Sequence, residues 1–151
     1  MIREELKKAL VDALKTKNEK KTATIRLINA AIKDKDIEAR PKGITDGIDD
    51  TAILSLLQSM VKQRKESIDM YKQGGREDLV ASEQAEIDII SAFLPQQMSE
   101  EETKQAIEAV IQEIGASTIK DMGKVMGALK AKYAGQMDFS IASGLIKGLL
   151  A

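Results

Sequence analysis

The fold is decided at Leu94-Pro95-Gln96-Gln97-Met98-Ser99-Glu100-Glu101-Glu102. Proline lacks a backbone N–H and disfavours helix in the residue before it, so Pro95 closes the helix that precedes it. Ser99 and Glu102 have the spacing of a capping box, in which the hydroxyl and the carboxylate each accept a backbone N–H at the start of a helix. The stretch therefore separates two helical regions and predicts a helix that begins at Glu100.

Three helices fit the residues after this boundary, at about 100–114, 118–133 and 139–150. Gly115 and Gly135 follow the first two of them, where glycine commonly ends a helix. Ser117 and Asp138 stand where a side chain can cap the next helix. These residues are predicted to form a three-helix bundle.

Four helices fit the residues before the boundary, at about 2–17, 19–37, 50–72 and 77–93. Their apolar residues recur every three or four positions, as on one face of a helix. Segment 38–49 contains Pro41 and two glycines, which are typical of an exposed loop, and Gly74-Gly75 ends the third helix. We predict an all-α, multihelical fold, with N-terminal helical hairpins in a four-helix subdomain over residues 1–95. A C-terminal three-helix bundle is predicted over residues 96–151.

The composition restricts the chemistry. Aromatic residues make up only 3% of the 151 residues, so the core must consist of aliphatic side chains and methionine. The chain has no cysteine and no histidine, which excludes disulfides, thiolate zinc sites and the Cys–His and Ser–His pairs that activate nucleophiles. No glycine-rich loop of the Walker type is present to hold ATP. The sequence therefore predicts no catalytic residue, no metal site and no cofactor.

Charge and hydropathy bear on location and partners. Five of the first eight residues are charged, where a secretory signal needs an apolar stretch. No run approaches the roughly 18 apolar residues of a membrane span. These patterns predict a cytoplasmic protein without membrane contact. Its net charge is −1, divided into +5 over residues 1–42 and −5 over residues 43–95, so the two regions either attract each other or orient a partner.

The helix predicted at 118–133 contains the strongest candidate site. At about 100° per residue, its core-facing arc has five members: Ile119, Met122, Met126, Leu129 and Tyr133. Gly123 and Gly127 fall beside this arc, and Lys120 and Lys124 lie next to them. Each internal glycine costs about 1 kcal/mol of helix stability relative to alanine, so two of them need an explanation.

Two explanations of these glycines are open. Either a neighbouring helix packs closely there, which only small residues allow, or a smooth ridge between lysines admits a sugar–phosphate backbone. In the second case the lysines neutralise phosphates without reading sequence. The RNA-binding residues predicted on that basis are Lys120, Gly123, Lys124, Gly127 and Lys132. Lys130 is expected to point partly toward the core.

Two arginines and two glutamates of the third and fourth helices are expected to form ion pairs. Arg64 and Arg76 stand among apolar positions, and each is expected to bind Glu83 or Glu86, with a phosphate or carboxylate ligand as the alternative. The same glutamates resemble half of a metal site in a helical bundle. Such sites typically add a histidine, which this chain lacks, so a structural role is favoured.

Two further features are interpreted as structural. Gly144 and Gly148, in an almost wholly apolar last helix, are expected to let a neighbouring helix approach closely. The basic side of the first two helices is expected to be solvated, with an RNA contact as the alternative. Its members are Lys15, Lys17, Lys20, Lys21, Arg26, Lys33 and Lys35.

Several runs of the sequence together form a recognisable pattern. Those in the third and fourth helices are Gln63-Arg64-Lys65-Glu66-Ser67, Gly74-Gly75-Arg76-Glu77-Asp78-Leu79, Glu83, Glu86, Ile87 and Phe93-Leu94-Pro95. Those in the final bundle are Gly115-Ala116-Ser117 and Lys120-Asp121-Met122-Gly123-Lys124-Val125-Met126-Gly127. Over essentially its whole length the chain resembles the YqeY proteins of the GatB/YqeY family.

The resemblance implies a two-part helical fold shared with the tail domain of the B subunit of glutamine-dependent aspartyl/glutamyl-tRNA amidotransferase. It also implies a similarity to part of the N-terminal region of some glutaminyl-tRNA synthetases. In the amidotransferase, that tail helps to hold tRNA while amidation takes place elsewhere. The family label, carbon–nitrogen ligase with glutamine as amide donor, is inherited from that larger enzyme.

The function expected from this resemblance is a tRNA-directed accessory module that has no catalytic activity by itself. Its binding of tRNA is expected to be weak or assisted by a translation-related protein partner, because a stand-alone nucleic-acid binder is usually basic. A protein–protein adaptor for translation components is the alternative.

Overall fold

A computed structural model describes residues 1–150 of the chain. Over this range the chain forms seven α-helices and no β-strand. The helices are α1 (Ile2–Lys15), α2 (Glu19–Ala39), α3 (Asp50–Gln73), α4 (Glu77–Ser91), α5 (Glu100–Ile114), α6 (Met122–Tyr133) and α7 (Phe139–Leu150). Two turns of 3₁₀ helix, Arg40–Lys42 and Ile119–Asp121, lie in the connections. The predicted all-α, multihelical fold is confirmed.

The chain divides into two compact units between Leu94 and Pro95. In the first unit, α1 packs against α2 and α3 packs against α4, and α4 also contacts α2. Apolar side chains from all four helices meet in one core, whose central members are Leu6, Ile25, Ile28, Ile53, Leu57 and Ile90. The four helices are therefore joined as two hairpins around a single core.

In the second unit, each of α5, α6 and α7 contacts the other two. The predicted capping box opens α5: Glu102 N–H donates to Ser99 Oγ and Ser99 N–H donates to Glu102 Oε1, both at 3.1 Å. Gly115 ends α5 at φ 73°, a left-handed conformation that favours glycine. The buried centre of this bundle consists of Ile107, Val110, Val125, Leu129, Met137, Ala142 and Ile146.

The start of α6 differs from the prediction. The helix begins at Met122 rather than near residue 118, and Ile119 is 48% exposed instead of facing the core. The fully buried residues of α6 are Val125 and Leu129. Of the predicted arc, Leu129 is buried and three members pack against the core: Met122, Met126 and Tyr133. Only Ile119 faces solvent, while Val125, which the arc left out, is fully buried. The difference arises because the prediction counted Ile119 as part of the helix, whereas it belongs to the 3₁₀ turn.

The connection between α2 and α3 passes close to Arg3. Gly47 has φ 92°, and a Cβ atom at this position would lie 2.7 Å from Arg3 Nη2. A residue with a side chain would therefore be strained in its backbone and would displace the guanidinium. Arg3 Nη2 also donates to the carbonyl oxygen of Ile48 at 3.0 Å, so the end of this connection is fixed to α1.

Candidate nucleic-acid interface

The connection between α5 and α6 places Lys120 at the start of α6. Asp121 Oδ2 accepts the backbone N–H groups of Ser117 at 3.0 Å and Thr118 at 3.3 Å. These two donors hold the pKa of Asp121 below its usual range. The same hydrogen bonds stabilise the 3₁₀ turn that leads directly into α6, and Lys120 is exposed on this turn. The predicted cap by Ser117 does not form: Asp121 is the residue before α6, and its side chain bonds to the connection and not to the first turn of the helix.

Gly123 and Gly127 both lie on the solvent side of α6. Apart from the helix's own backbone and chain neighbours, no heavy atom of the described residues lies within 4 Å of a Cβ built on either one. Close packing of another part of the described chain therefore does not explain these glycines. At about 100° per residue they are separated by about 40° around the helix, so they form one open strip.

Three exposed lysines border this strip. Lys124 lies near enough to Asp121 to contribute to the lowered pKa of that carboxyl. Lys130 lies about 20° from Gly123 around the helix and is exposed. Within residues 1–150, none of the three takes part in an ion pair. We call these five residues the α6 strip: Lys120, Gly123, Lys124, Gly127 and Lys130.

Lys132, the remaining predicted RNA contact, lies elsewhere. It is about 180° from Gly123 around α6, and its Nζ donates to Glu113 Oε2 on α5 at 2.9 Å. This hydrogen bond raises the pKa of Lys132. The structure therefore brings together four of the five predicted residues and separates Lys132 from them. Lys130 was left out of the predicted RNA-binding residues because it was expected to point partly toward the core.

The expectation for the glycines of α7 was wrong. Gly144 and Gly148 are exposed, and a Cβ atom on either would have no described neighbour within 4 Å. The buried side of α7 is formed by other residues: Ala142, Ile146 and Leu150. The helix is apolar on almost every side, but in a bundle of three helices each keeps one side in solvent.

The predicted ion pairs of α3 and α4 form in one of two cases. Arg64 Nε donates to Glu86 Oε2 at 2.8 Å, and these side chains are only 15% and 18% exposed. This pair joins α3 to α4, as predicted. Arg76 instead binds Asp78, two residues away, because it lies in the turn before α4 rather than opposite its middle.

One contact in the first unit has the composition of a Ser–Lys catalytic pair. Lys20 Nζ donates to Ser82 Oγ at 2.8 Å and also lies 3.4 Å from Glu86 Oε1. A serine nucleophile needs a base that accepts its proton, whereas here the lysine nitrogen is the donor to Ser82 and is shared with Glu86. Ser82 lies inside α4, where the neighbouring backbone N–H groups are used by the helix. The contact therefore joins α2 to α4.

Among residues 1–150, no three or more Asp and Glu side chains are grouped so that they could hold a metal ion. No helix in the same range is both long enough and apolar enough to cross a membrane.

Comparison with known families settles the classification. The family model described as Yqey-like protein matches residues 3–150. The chain belongs to the YqeY-like family. This assignment covers both units, so the α6 strip lies within the YqeY-like region and not in an added segment.

The YqeY-like chain is similar to proteins named "Altered inheritance of mitochondria protein 41, mitochondrial". It is 39% identical to the Eremothecium gossypii protein over 89 residues, which cover 59% of this chain and 46% of that protein. It is 33% identical to the Pyrenophora tritici-repentis protein over 129 residues, which cover 82% and 68%. For a Saccharomyces cerevisiae protein the identity is 34% over 96 residues, covering 64% and 48%. The match thus spans about half the length of the first and third relatives.

The names of these relatives contradict one prediction. All three are named as mitochondrial proteins, so the cytoplasmic location predicted for the YqeY-like chain is wrong. The prediction used charge near the N-terminus and the lack of a long apolar run. These features argue against a secretory signal and a membrane span, but they do not separate the cytoplasm from mitochondria, because mitochondrial targeting segments are themselves charged and amphipathic.

Proposed function

We propose that this YqeY-like chain is an accessory module that holds tRNA through the α6 strip and carries out no chemistry of its own. The observation that carries the proposal is the open surface at Gly123 and Gly127. An internal glycine lowers helix stability by about 1 kcal/mol, and no close packing offsets this cost at Gly127. Close approach of an RNA backbone is a use of the surface that requires the absence of a side chain.

The charged residues of the α6 strip suit phosphate rather than bases. Lys120, Lys124 and Lys130 each present an ammonium group, which acts on phosphate as a point charge. The second unit contains no arginine and only two aromatic residues, Tyr133 and Phe139, and both are half-buried. Stacking on bases is therefore limited, and we expect recognition through the shape and backbone of a folded RNA.

The choice of tRNA among RNAs rests on the family. The tail domain of the amidotransferase B subunit, which YqeY proteins resemble, helps to hold tRNA. The label of carbon–nitrogen ligase belongs to that larger enzyme, and we extend only its RNA contact to this chain. Because the relatives are named as mitochondrial proteins, mitochondrial tRNA is to be tested beside bulk tRNA.

The overall charge limits the affinity that this surface can provide. With a net charge of −1, the whole chain does not attract RNA over long distances. Binding then depends on the few local phosphate contacts, each of which releases counterions and weakens as salt rises. The proposal therefore includes weak binding by the chain alone and stronger binding when a partner holds the same tRNA.

Filter binding of tRNA at low and moderate salt tests the proposal. We expect Lys120→Glu/Lys124→Glu to weaken binding at least tenfold and to make the salt dependence shallower by about two units of slope. The matched control is Lys104→Glu/Lys147→Glu, which changes the net charge equally at exposed positions of α5 and α7. Equal binding curves for the wild type and the Lys120/Lys124 variant would remove the α6 strip as the RNA contact.

A second pair of variants distinguishes the α6 strip, which includes Lys130, from the site predicted from the sequence, which includes Lys132. Lys130→Glu is expected to weaken tRNA binding severalfold, because Lys130 borders the glycines. Lys132→Glu is expected to leave it nearly unchanged, because Lys132 lies on the far side of α6 and already binds Glu113. The opposite order of effects would show that RNA contacts the α5 side of the bundle.

A protein–protein adaptor is the second candidate, and one observation favours it. Ile114 and Ile119 are 38% and 48% exposed at the two ends of the α5–α6 connection, next to Lys120. Exposed apolar side chains beside a charged residue are common in protein interfaces. A co-purifying protein that survives ribonuclease treatment and is lost in Ile114→Ser/Ile119→Ser would favour the adaptor over direct RNA binding.

A further inference from the structure

A cleft of about 310 Å³ lies between α1 and α2 in the first unit. Its floor is formed by Leu6 and Ile32, which are almost completely buried. The other side chains around it are polar or charged: Arg3, Glu4, Lys7, Asn29, Lys33 and Asp36. A cleft of this size lies at the lower end of the range for small-molecule sites.

One end of the cleft is fixed by hydrogen bonds. Arg3 Nη2 and Nη1 donate to the two carboxylate oxygens of Asp36 at 2.7 and 3.0 Å. Asp36 Oδ1 also accepts the backbone N–H of Ile48 at 2.8 Å. Both oxygens of Asp36 are therefore engaged, and this carboxylate does not serve as the counter-ion of a lysine in the cleft.

The two lysines of the cleft have no such partner. Lys7 comes from α1 and Lys33 from α2, so they line the cleft from opposite helices, and both are exposed. Neither takes part in an ion pair within residues 1–150, and nor does Glu4, the remaining carboxylate of the lining. Both ammonium groups line the same cleft, so an anion bound there is attracted by each of them.

We propose that this cleft binds a phosphate group between Lys7 and Lys33, with the side-chain amide of Asn29 as a further donor. A phosphate monoester carries a charge between −1 and −2 at neutral pH and several acceptor oxygens, which matches two ammonium groups on facing helices. The phosphate belongs either to a small phosphorylated compound or to an RNA backbone. The site lies in the first unit and does not depend on the α6 strip.

Amide chemical shifts of the ¹⁵N-labelled full chain test this proposal. Titration with inorganic phosphate and with ribose 5-phosphate, against chloride at equal ionic strength, is expected to give saturable shifts at residues 3–7 and 29–36. Lys7→Gln/Lys33→Gln is expected to weaken this binding at least tenfold. The matched control, Lys8→Gln/Lys15→Gln, removes two exposed lysines of α1 that do not line the cleft and is expected to bind like the wild type. Absence of saturable shifts, or equal affinity in the Lys7/Lys33 variant, overturns the proposal.

Thermal unfolding is a second measurement, and its result differs according to whether Lys7 and Lys33 bind phosphate or only stabilise the hairpin. Without phosphate, Lys7→Gln/Lys33→Gln is expected to melt no lower than the wild type, because in the described part of the chain neither lysine takes part in an ion pair that the substitution would break. Phosphate is expected to raise the melting temperature of the wild type and not that of the variant. A variant that melts lower without phosphate shows that these lysines hold the hairpin themselves, which overturns the proposal.

Competition identifies the source of the phosphate. If tRNA displaces ribose 5-phosphate and moves the signals of residues 3–7 and 29–36, the cleft takes a backbone phosphate. If ribose 5-phosphate stays bound when tRNA is added, the cleft takes a small compound. Each result supports a phosphate site. The variant Lys120→Glu/Lys124→Glu changes the α6 strip and leaves the cleft intact, so it should still bind ribose 5-phosphate even if it no longer binds tRNA through the strip.

Discussion

The two units of this chain use charged side chains differently. The first unit has three ion pairs between helices: Arg3–Asp36, Lys20–Glu86 and Arg64–Glu86. In the described part of the second unit, one ion pair joins two helices, and its members, Lys132 and Glu113, are 50% and 66% exposed. The lysines of the α6 strip are exposed and form no ion pair there.

This difference indicates where charge supports the fold and where it is available to a ligand. A half-buried ion pair between helices costs stability when one partner is removed, because the other charge remains partly desolvated. An exposed lysine without a partner can be replaced at little cost to the fold. We therefore expect substitution of the paired charges of the first unit to affect stability, and substitution of the unpaired lysines of the α6 strip to affect binding.

The largest expected effect tests whether the two cores are separate. Ile90 belongs to the core of the first unit and Ile107 to that of the second, and both are fully buried. Ile90→Ala and Ile107→Ala are each expected to lower the free energy of unfolding by about 2–5 kcal/mol. In urea titrations followed by NMR, signals of the substituted unit should disappear first. Simultaneous loss of both sets of signals in both variants would show one joint core.

The next effect compares the ion pairs of the two units. Arg64→Met is expected to lower the free energy of unfolding by about 2 kcal/mol, because Glu86 loses its shortest charged hydrogen bond in a half-buried position. Lys132→Met, in contrast, should leave the urea midpoint unchanged, since its pair is exposed. An equal shift of the midpoint in both variants would contradict the distinction drawn between the units.

Glycines of the two units are expected to respond to alanine with opposite signs. Gly127→Ala has room for its Cβ and should raise the free energy of unfolding by up to about 1 kcal/mol, while tRNA binding weakens. Gly47→Ala has φ 92° and a Cβ position 2.7 Å from Arg3 Nη2, and should lower it by about 1–2 kcal/mol. Thermal unfolding measures both, and a more stable Gly127→Ala with undiminished tRNA binding would separate the glycine from RNA contact.

The smallest effect concerns acid stability. The hydrogen bonds from Arg3 hold the pKa of Asp36 below its usual range, so the folded state favours the ionised carboxylate. The resulting stability is present above the unfolded pKa of about 3.9 and is lost as pH falls through the lower, folded value. Asp36→Asn should therefore be less stable than the wild type at neutral pH, and the difference should shrink below about pH 4. A difference that stays constant from pH 7 to pH 3 would exclude this linkage.

Local signals in the sequence were sufficient for much of the fold. The capping box of Ser99 and Glu102 and the glycine at position 115 act within one turn of the chain, so α5 was placed correctly at both ends. Asp138 also caps α7 as predicted, through its bonds to the N–H groups of Ser140 and Ile141. Such features depend on neighbouring residues, which a single sequence displays.

The details of the candidate site were less accessible. The choice between Lys130 and Lys132 depends on which side of α6 is buried, and this is set by α5 and α7. The exposure of Gly144 likewise follows from how three helices share one core. Periodicity indicates that an apolar face exists, but the side on which it lies follows only when the helix start is known. Here a 3₁₀ turn at Ile119–Asp121 precedes the helix, which begins at Met122.

The short, one-sided packing of α6 also has a consequence for its dynamics. A helix as short as α6, twelve residues from Met122 to Tyr133, is marginal by itself and depends on burial along one side. Its opening should require less free energy than global unfolding, so its amides should exchange with deuterium early. Binding of a ligand to this helix immobilises it, and the conformational entropy lost reduces the binding free energy. This favours weak binding and rapid dissociation.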